Sequence, residues 1–466
     1  MSNIGHSAAR LAASKAFDVV LKNVDKNREQ EVCKLIDLME KYMSNEKLDI
    51  NYDQAREIVN NKDGALNKYI NRVLDEVDPK VLKTMALNLG FESFLYGTKT
   101  IRKMREKYDC NIPWLILMDP TSACNLHCTG CWAAEYGNKL NFTFEEMDNV
   151  VKQGKELGVY FYMFTGGEPL VRKDDLIRLC EKHNDCAFLS FTNGTLVDQA
   201  FCDELKRVGN LYLAISLEGF SEVNDLRRGN GVFGKVMNAM DLLKQNGLVF
   251  GTSICYTSKN CEAVTSEEFV DLMIEKGCRY AMYFHYMPVG NDATLDLLPS
   301  PEQRTYIKDR VREIRNMTTG KGIFTMDFQN DGEFVGGCIA GGRNYFHINA
   351  NGDAEPCVFI HYSGANIRTH SLLEILKQPL FMAYHDNQPF NENHLRPCPM
   401  LENPEILQKM VKETGAKSTD LQSPESAEHL CGKCEEYARK WKPCAEKLWK
   451  ETEVKPKAYS NYKDHK

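Results

Sequence analysis

Six short apolar runs, each followed by a stretch with helical spacing, constrain the fold of this chain more than any other feature. The runs are Leu115–Met118, Tyr160–Phe164, Ala187–Phe191, Leu211–Ser216, Phe250–Tyr256 and Tyr280–Tyr286. Between them, Thr143–Leu157, Asp174–Lys182, Gln199–Val208, Phe233–Gln245 and Ser266–Lys276 suit one face of a helix. A strand that returns through a crossover helix re-enters its sheet in the same direction, so the alternation predicts an α/β chain with a parallel sheet. Over residues 113–312 these units predict a partial (β/α)6 TIM-like barrel. Residues 1–112 are polar, with helical spacing in stretches such as Glu31–Tyr42 and Leu66–Val77, and predict an N-terminal helical region. Pro, Gly, Asn and Asp gather from Pro288 to Pro301 and mark a domain edge, leaving residues 313–466 as a cysteine-bearing C-terminal domain.

Sites in such barrels lie at the C-terminal ends of the strands. Directly after the first run comes ACNLHCTGC, in which Cys124, Cys128 and Cys131 form a C-x3-C-x2-C triad. Three thiolates on a short loop are soft ligands suited to iron–sulfur chemistry. A [4Fe–4S] cluster has four irons, so three cysteines leave one iron open to a non-protein ligand. The competing reading is a pair of structural zinc ligands with a bystander thiol.

Composition narrows the function. The net charge of −7 argues against a nucleic-acid backbone as the main partner. No apolar run approaches the length of a spanning helix, and the start lacks the continuous apolar core of a secretory signal. The 17 cysteines are clustered, six of them between Cys338 and Cys444, which in an unsecreted chain reads as metal ligation in a reducing cytoplasm. Residues 7–22 suit an amphipathic helix bearing Arg10, Lys15 and Lys22. It is expected to pack on the catalytic domain, with peripheral membrane contact as the alternative.

Each later strand end carries a polar element. Thr165-Gly166-Gly167-Glu168-Pro169 follows the second run, Thr192-Asn193-Gly194 the third, and Ser216-Leu217-Glu218-Gly219 the fourth, with Asp225-Leu226-Arg227-Arg228 just beyond. Two adjacent glycines let backbone approach a ligand closely. Together with the triad, these elements resemble the radical S-adenosylmethionine (SAM) family. The resemblance implies that Cys124, Cys128 and Cys131 hold a [4Fe–4S] cluster whose open iron is chelated by SAM. It implies that Gly166, Gly167, Glu168 and Pro169 meet the SAM amino group, that Thr192 and Asn193 meet the ribose, that Ser216 and Glu218 belong to the site, and that Arg228 holds the carboxylate. The implied activity is reductive cleavage of SAM to a 5′-deoxyadenosyl radical that abstracts hydrogen from an unactivated C–H, with electrons from ferredoxin or flavodoxin. Relatives often place an aromatic residue before the third cysteine. This chain has Gly130 there and Trp132 immediately after.

Cys338 and Cys357 bracket Gly352 in the pattern C-x13-G-x4-C, and FHINANGDAEPC reads as a hairpin turning at Asn-Gly. This resembles the SPASM or shorter twitch extension, which implies auxiliary iron–sulfur binding with Cys398, Cys431, Cys434 and Cys444 as further ligands. Six thiols do not complete two four-cysteine clusters, so one cluster, two incomplete ones, or a zinc or mononuclear iron site all remain open. Most of the scattered cysteines, Cys255 among them, read as small buried hydrophobes. His285, Tyr283 and Tyr286 stand at the end of the sixth run and are candidates to face a substrate, with core packing as the alternative for the two tyrosines. The expected substrate is a peptide or protein side chain, the alternative a lipid or small metabolite. A non-catalytic electron carrier would have no use for the elements at the strand ends.

Overall fold

The polar N-terminal region folds as helices α1 (Asn3–Asn23), α2 (Arg28–Met43), α3 (Tyr52–Asn60), α4 (Ala65–Glu76), α5 (Pro79–Met85) and α6 (Thr98–Tyr108), with a π-helix over Ala86–Gly97. The computed structural model describes residues 3–43, 51–137 and 139–452. Helix α1 is fastened through Arg10, which donates to Glu92 Oε1 (2.7 Å) and Asn88 Oδ1 (2.7 Å) of the π-helix. Asn88 in turn donates to the carbonyls of Asn184 and Cys186, ahead of the third strand. The helix therefore packs against the barrel through the π-helix, and its outer face leaves Leu11 57% and Val19 54% exposed.

Strands β1 (Leu115–Met118), β2 (Phe161–Phe164), β3 (Ala187–Thr192), β4 (Leu211–Ser216), β5 (Phe250–Tyr256) and β6 (Tyr280–His285) pair in parallel, each with its sequence neighbour. Their crossovers carry α7 (Phe144–Leu157), α8 (Lys173–Lys182), α9 (Gln199–Val208), α10 (Ser221–Arg228), α11 (Val232–Gln245) and α12 (Glu267–Glu275). Both faces of these strands are covered, which is why they read as continuous apolar runs rather than alternating ones. Local chemistry sets the helix ends. Thr143 and Glu146 form a capping box at the start of α7, and Gly158 ends that helix at φ 96°, a conformation that disfavours any side chain.

The sheet does not stop at six strands. After α13 (Pro301–Ile314), β7 (Phe324–Asp327) joins β6 in parallel, beyond the domain edge expected near residue 312. After α14 (Gly332–Val335), β8 (Tyr345–Ile348) pairs in parallel with β1, at the opposite edge of the sheet. The expected hairpin is present, as β9 (Ala354–Glu355) returns antiparallel to β8. The final order is β7-β6-β5-β4-β3-β2-β1-β8-β9. The rest of the chain forms β10 (Tyr362–Ser363), α15 (Leu372–Leu376), α16 (Pro379–Asn387), α17 (Pro404–Thr414), β11 (Lys417–Ser418) and α18 (Ala427–Glu451).

A buried arginine ties this region to the barrel. Arg304 of α13 donates to Asn330 Oδ1 (2.8 Å), stacks 4.3 Å over Trp441 of α18 and lies 2.6 Å from Glu402. Glu402 accepts the Cys398 N–H (2.6 Å), so the same pair fixes a cysteine-bearing loop.

Candidate functional site

The triad loop leaves the C-terminal end of β1 and is held by its neighbours. Gly167 N–H donates to Thr121 O (3.0 Å) and Glu168 N–H to Ala123 O (2.8 Å), so the turn after β2 runs against the loop backbone. No side chain fits there. A Cβ on Gly167 would stand 2.2 Å from Ala123 O, and one on Gly166, already at φ 103°, would stand 2.6 Å from Thr121 O. We expect Gly167→Ala to displace the loop and weaken SAM binding at least about tenfold, the order seen when ligand-supporting contacts are lost. Equilibrium dialysis with reconstituted protein checks it, and unaltered binding would show that the close approach is irrelevant.

Glu168 is buried and turned into the protein. Its carboxylate accepts the Thr192 hydroxyl (2.6 Å) and the N–H groups of Asn193 (2.7 Å) and Leu170 (3.0 Å). Burial pushes its pKa up despite these bonds. Glu168 thus fixes the Thr192-Asn193 turn, and Asn193 Nδ2 donates to Asn125 Oδ1 (2.8 Å) on the triad loop. Pro169 opens a short 3-10 helix and stands behind the cavity wall.

Glu218, also behind the wall and fully buried, accepts from Arg227 Nη1 (2.7 Å) and Arg228 Nη2 (2.5 Å). Both guanidiniums line the cavity, and Arg228 Nη1 lies 4.0 Å from Cys128 Sγ. The family resemblance implies Arg228 alone. Arg227 shares its acceptor and donates to Thr129 O (3.2 Å) between two triad cysteines. Cys255, expected to be core, also lines the cavity. Its position on a strand end at alternate spacing from Ser253 was the available signal.

These parts bound a cavity of about 270 Å³. Cys124, Cys128, Cys131, Gly166, Gly167, Glu168, Thr192, Asn193, Ser216 and Arg228 line it at one end. The remaining wall is mostly apolar, built from residues such as Met163, Phe191, Met282, Phe284, Met326 and Phe328. Gly130, at φ 68°, has no room for an aromatic side chain, because its Cβ direction meets the Tyr286 ring at 2.8 Å. The ring missing before the third cysteine is thus supplied from beyond β6. His285 lines the cavity too, whereas Tyr283 is core and bonds Val264 O (2.9 Å).

The triad thiols fit a cluster. Burial pushes Cys124 up to about 11 and raises Cys128, and the nearby Cys131 thiol raises both further. Buried thiols that ionise reluctantly alone become thiolates when metal supplies the positive charge. Leu126 N–H points at Cys124 Sγ (3.4 Å), a bond that stabilises a ligating sulfur. Among the described residues no three His, Cys, Asp or Glu side chains converge on a single ion.

Beside the triad, Trp132 stands edge-on to His347 (5.8 Å between centroids). His347 bridges Asp119 Oδ1 (2.9 Å), at the end of β1, and Glu355 Oε2 (2.6 Å), on β9. All three are buried. Burial alone would lower the imidazole pKa, but the two carboxylates hold it up to about 10. Burial raises Asp119, while Glu355 is drawn down by His347 and Thr419, and it also accepts from Tyr136 and Asn349. None of these contacts was apparent in the sequence.

A second cavity of about 90 Å³ abuts the first and is lined by Cys338, Cys357 and Cys398. Cys398 Sγ accepts from Met400 N–H and Leu401 N–H (both 3.4 Å), and Tyr345 OH lies 2.8 Å from Cys357 Sγ. Cys431 and Cys434 are buried one turn apart on α18, outside this lining. Cys444 is ten residues further along the same helix, about 15 Å at the usual rise. The six C-terminal cysteines therefore do not share one site.

Comparison with known proteins follows the same division. The Radical SAM superfamily matches residues 118–281, and SPASM, an iron–sulfur cluster-binding domain, matches residues 338–400. The Fe-coproporphyrin III synthase of Methanosarcina barkeri is 27% identical over 233 residues, 47% of this chain and 57% of that protein. The PqqA peptide cyclase of Granulibacter bethesdensis is 28% identical over 259 residues, 53% of this chain and 67% of that protein. In fold, the crystal structure of Streptococcus suis SuiB bound to S-adenosylmethionine aligns with a TM-score of 0.54 at 19% identity, covering 66% of this chain and 77% of that one.

Proposed function

We propose that this chain, a radical SAM enzyme with a C-terminal SPASM domain, abstracts hydrogen from an unactivated C–H bond of a substrate held in the barrel cavity. The observation that carries this reading is that the triad, the glycine turn, Thr192, Asn193 and Arg228 line one end of a single cavity. When bound, the [4Fe–4S] cluster and SAM supply a 5′-deoxyadenosyl radical by one-electron cleavage of the S–C5′ bond.

The chain's own residues do the rest. Cys124, Cys128 and Cys131 hold the cluster. Gly166 and Gly167 admit the ligand to the backbone, and Glu168 orients Thr192 and Asn193 from behind. Glu218 fixes Arg227 and Arg228, which offer positive charge beside Cys128. The apolar wall excludes water from a reactive intermediate. Cys338, Cys357 and Cys398 hold an auxiliary cluster, with Cys431 and Cys434 as the remaining buried candidates. Electrons come from ferredoxin or flavodoxin in the cytoplasm. No helix of the described residues is long and apolar enough to cross a membrane.

Two substrate classes have support. A peptide or protein side chain is suggested by the similarity to a peptide cyclase. A lipid or small metabolite is favoured by the apolar wall. Anaerobic reconstitution, then dithionite and SAM, tests the reaction class. We expect 5′-deoxyadenosine, and its absence from protein with iron and sulfide bound would overturn the assignment.

A further inference from the structure

We propose that the apolar part of the barrel cavity binds an unbranched hydrocarbon chain, the acyl chain of a lipid or fatty acid. It would run from the triad toward Cys338, Cys357 and Cys398. This deepens the reading above and rests on SAM occupying the triad end. The cavity is divided by chemistry. Its charged side chains and most of its hydrogen-bonding ones belong to the triad end, whereas Met163, Phe191, Met282, Phe284, Met326 and Phe328 make up much of the remainder, with Ser253, His285 and Tyr345 among them.

A peptide backbone would find few partners there. Of the polar side chains that reach this part, His285 is engaged by Tyr286 O (2.5 Å) and the Tyr437 hydroxyl (2.8 Å) and Tyr345 by Cys357, which leaves the single hydroxyl of Ser253. The backbones of β2, β3 and β6 are committed to parallel ladders on both sides, so among the strands that carry the apolar wall only β7 has a free edge. Buried amides without partners are costly.

A substrate rich in carboxylates fares no better. The lining holds two guanidiniums, Arg227 and Arg228, and Glu218 binds both. An alkyl chain needs neither amide partners nor cations. It needs apolar area and a wall that adapts to its path, which the unbranched thioethers of Met163, Met282 and Met326 provide. At the far side, Met326 and Phe328 also line the smaller cavity, so the chain would end against the auxiliary cluster site rather than enter it.

Calorimetric titration of anaerobically reconstituted holoenzyme with octanoate, decanoate and dodecanoate tests the site. We expect one chain per protein and an affinity that rises about fourfold per methylene. Met326→Gln and Met163→Gln, nearly isosteric changes on separate strands, should each lower dodecanoate affinity about tenfold. A flat length series, several chains per protein, or unaltered binding in both variants would overturn the inference. So would displacement of dodecanoate by coproporphyrin or an unlipidated peptide at lower concentration than by a fatty acid.

Perdeuterated dodecanoate, free or esterified in phosphatidylglycerol, then identifies the source. Each transfer breaks one C–D bond of the chain and forms one at the 5′ carbon. Deuterated 5′-deoxyadenosine from either form supports the chain site and says which form is used. Unlabelled product from both overturns it while leaving the radical SAM assignment intact. Length-dependent binding without any SAM cleavage would instead overturn that assignment and leave the site standing.

Discussion

Cys128→Ala is expected to reduce SAM cleavage to background, a loss of well over the roughly 100-fold that follows from disturbing a ligand's supporting contacts alone. Two thiols cannot hold a cluster built for three. Cys128 also sits at the charged end of the cavity, 4.0 Å from Arg228 Nη1 and within the field of Cys131. The variant should lose the iron of the triad and keep that of the C-terminal site, because Cys338, Cys357 and Cys398 line a different cavity. Iron counting, with chromatography of 5′-deoxyadenosine, reads both effects. Retained cleavage would refute the ligand assignment. Loss of all iron would show that the two sites do not load independently.

His347→Leu is expected to destabilise the folded protein by about 3–5 kcal/mol, the range for removing one partner of a buried ionic group. Asp119 and Glu355 would remain buried without the cation between them. The sign of the pH dependence follows from the raised imidazole pKa. An ordinary histidine has a pKa near 6.5, and here the folded state holds it up to about 10. The stabilisation is therefore fully present below about 6.5 and is lost as pH rises through about 10. Urea unfolding between neutral and alkaline pH should show stability falling in the parent protein. In His347→Leu that part of the slope should be absent. Equal slopes in the two proteins would mean that His347 is neutral in the folded state.

Much of the barrel was legible because local and global signals agree. Leu211–Ser216 and Phe250–Tyr256 are strands over the residues read as apolar runs, and Gln199–Val208 is a helix over its expected span. The site was legible for a related reason. Its elements sit at successive strand ends, so their order along the chain becomes their arrangement around the cavity. What escaped was non-local or too short to carry periodicity. Strand β7, Phe324–Asp327, has four residues and no flanking pattern. The pairing of β8 with β1 joins segments more than two hundred residues apart, as does the contact between Asp119 and His347. The division of the six C-terminal cysteines was hidden because α18 carries three of them along one rod, and spacing in sequence does not say which side of a helix faces a cavity. Arg227 was passed over because the family pattern offers one arginine, whereas Glu218 binds two.

The addition of β8 to the free side of β1 has a consequence for how this protein can be divided. A polypeptide ending near residue 312 would leave β1 with unpaired amides and carbonyls along its outer edge, beside the triad loop. It would also lose His347, and Asp119 would be buried without its partner. The C-terminal extension is thus a stave of the barrel it accompanies. The hairpin and β1 are therefore expected to fold as one unit.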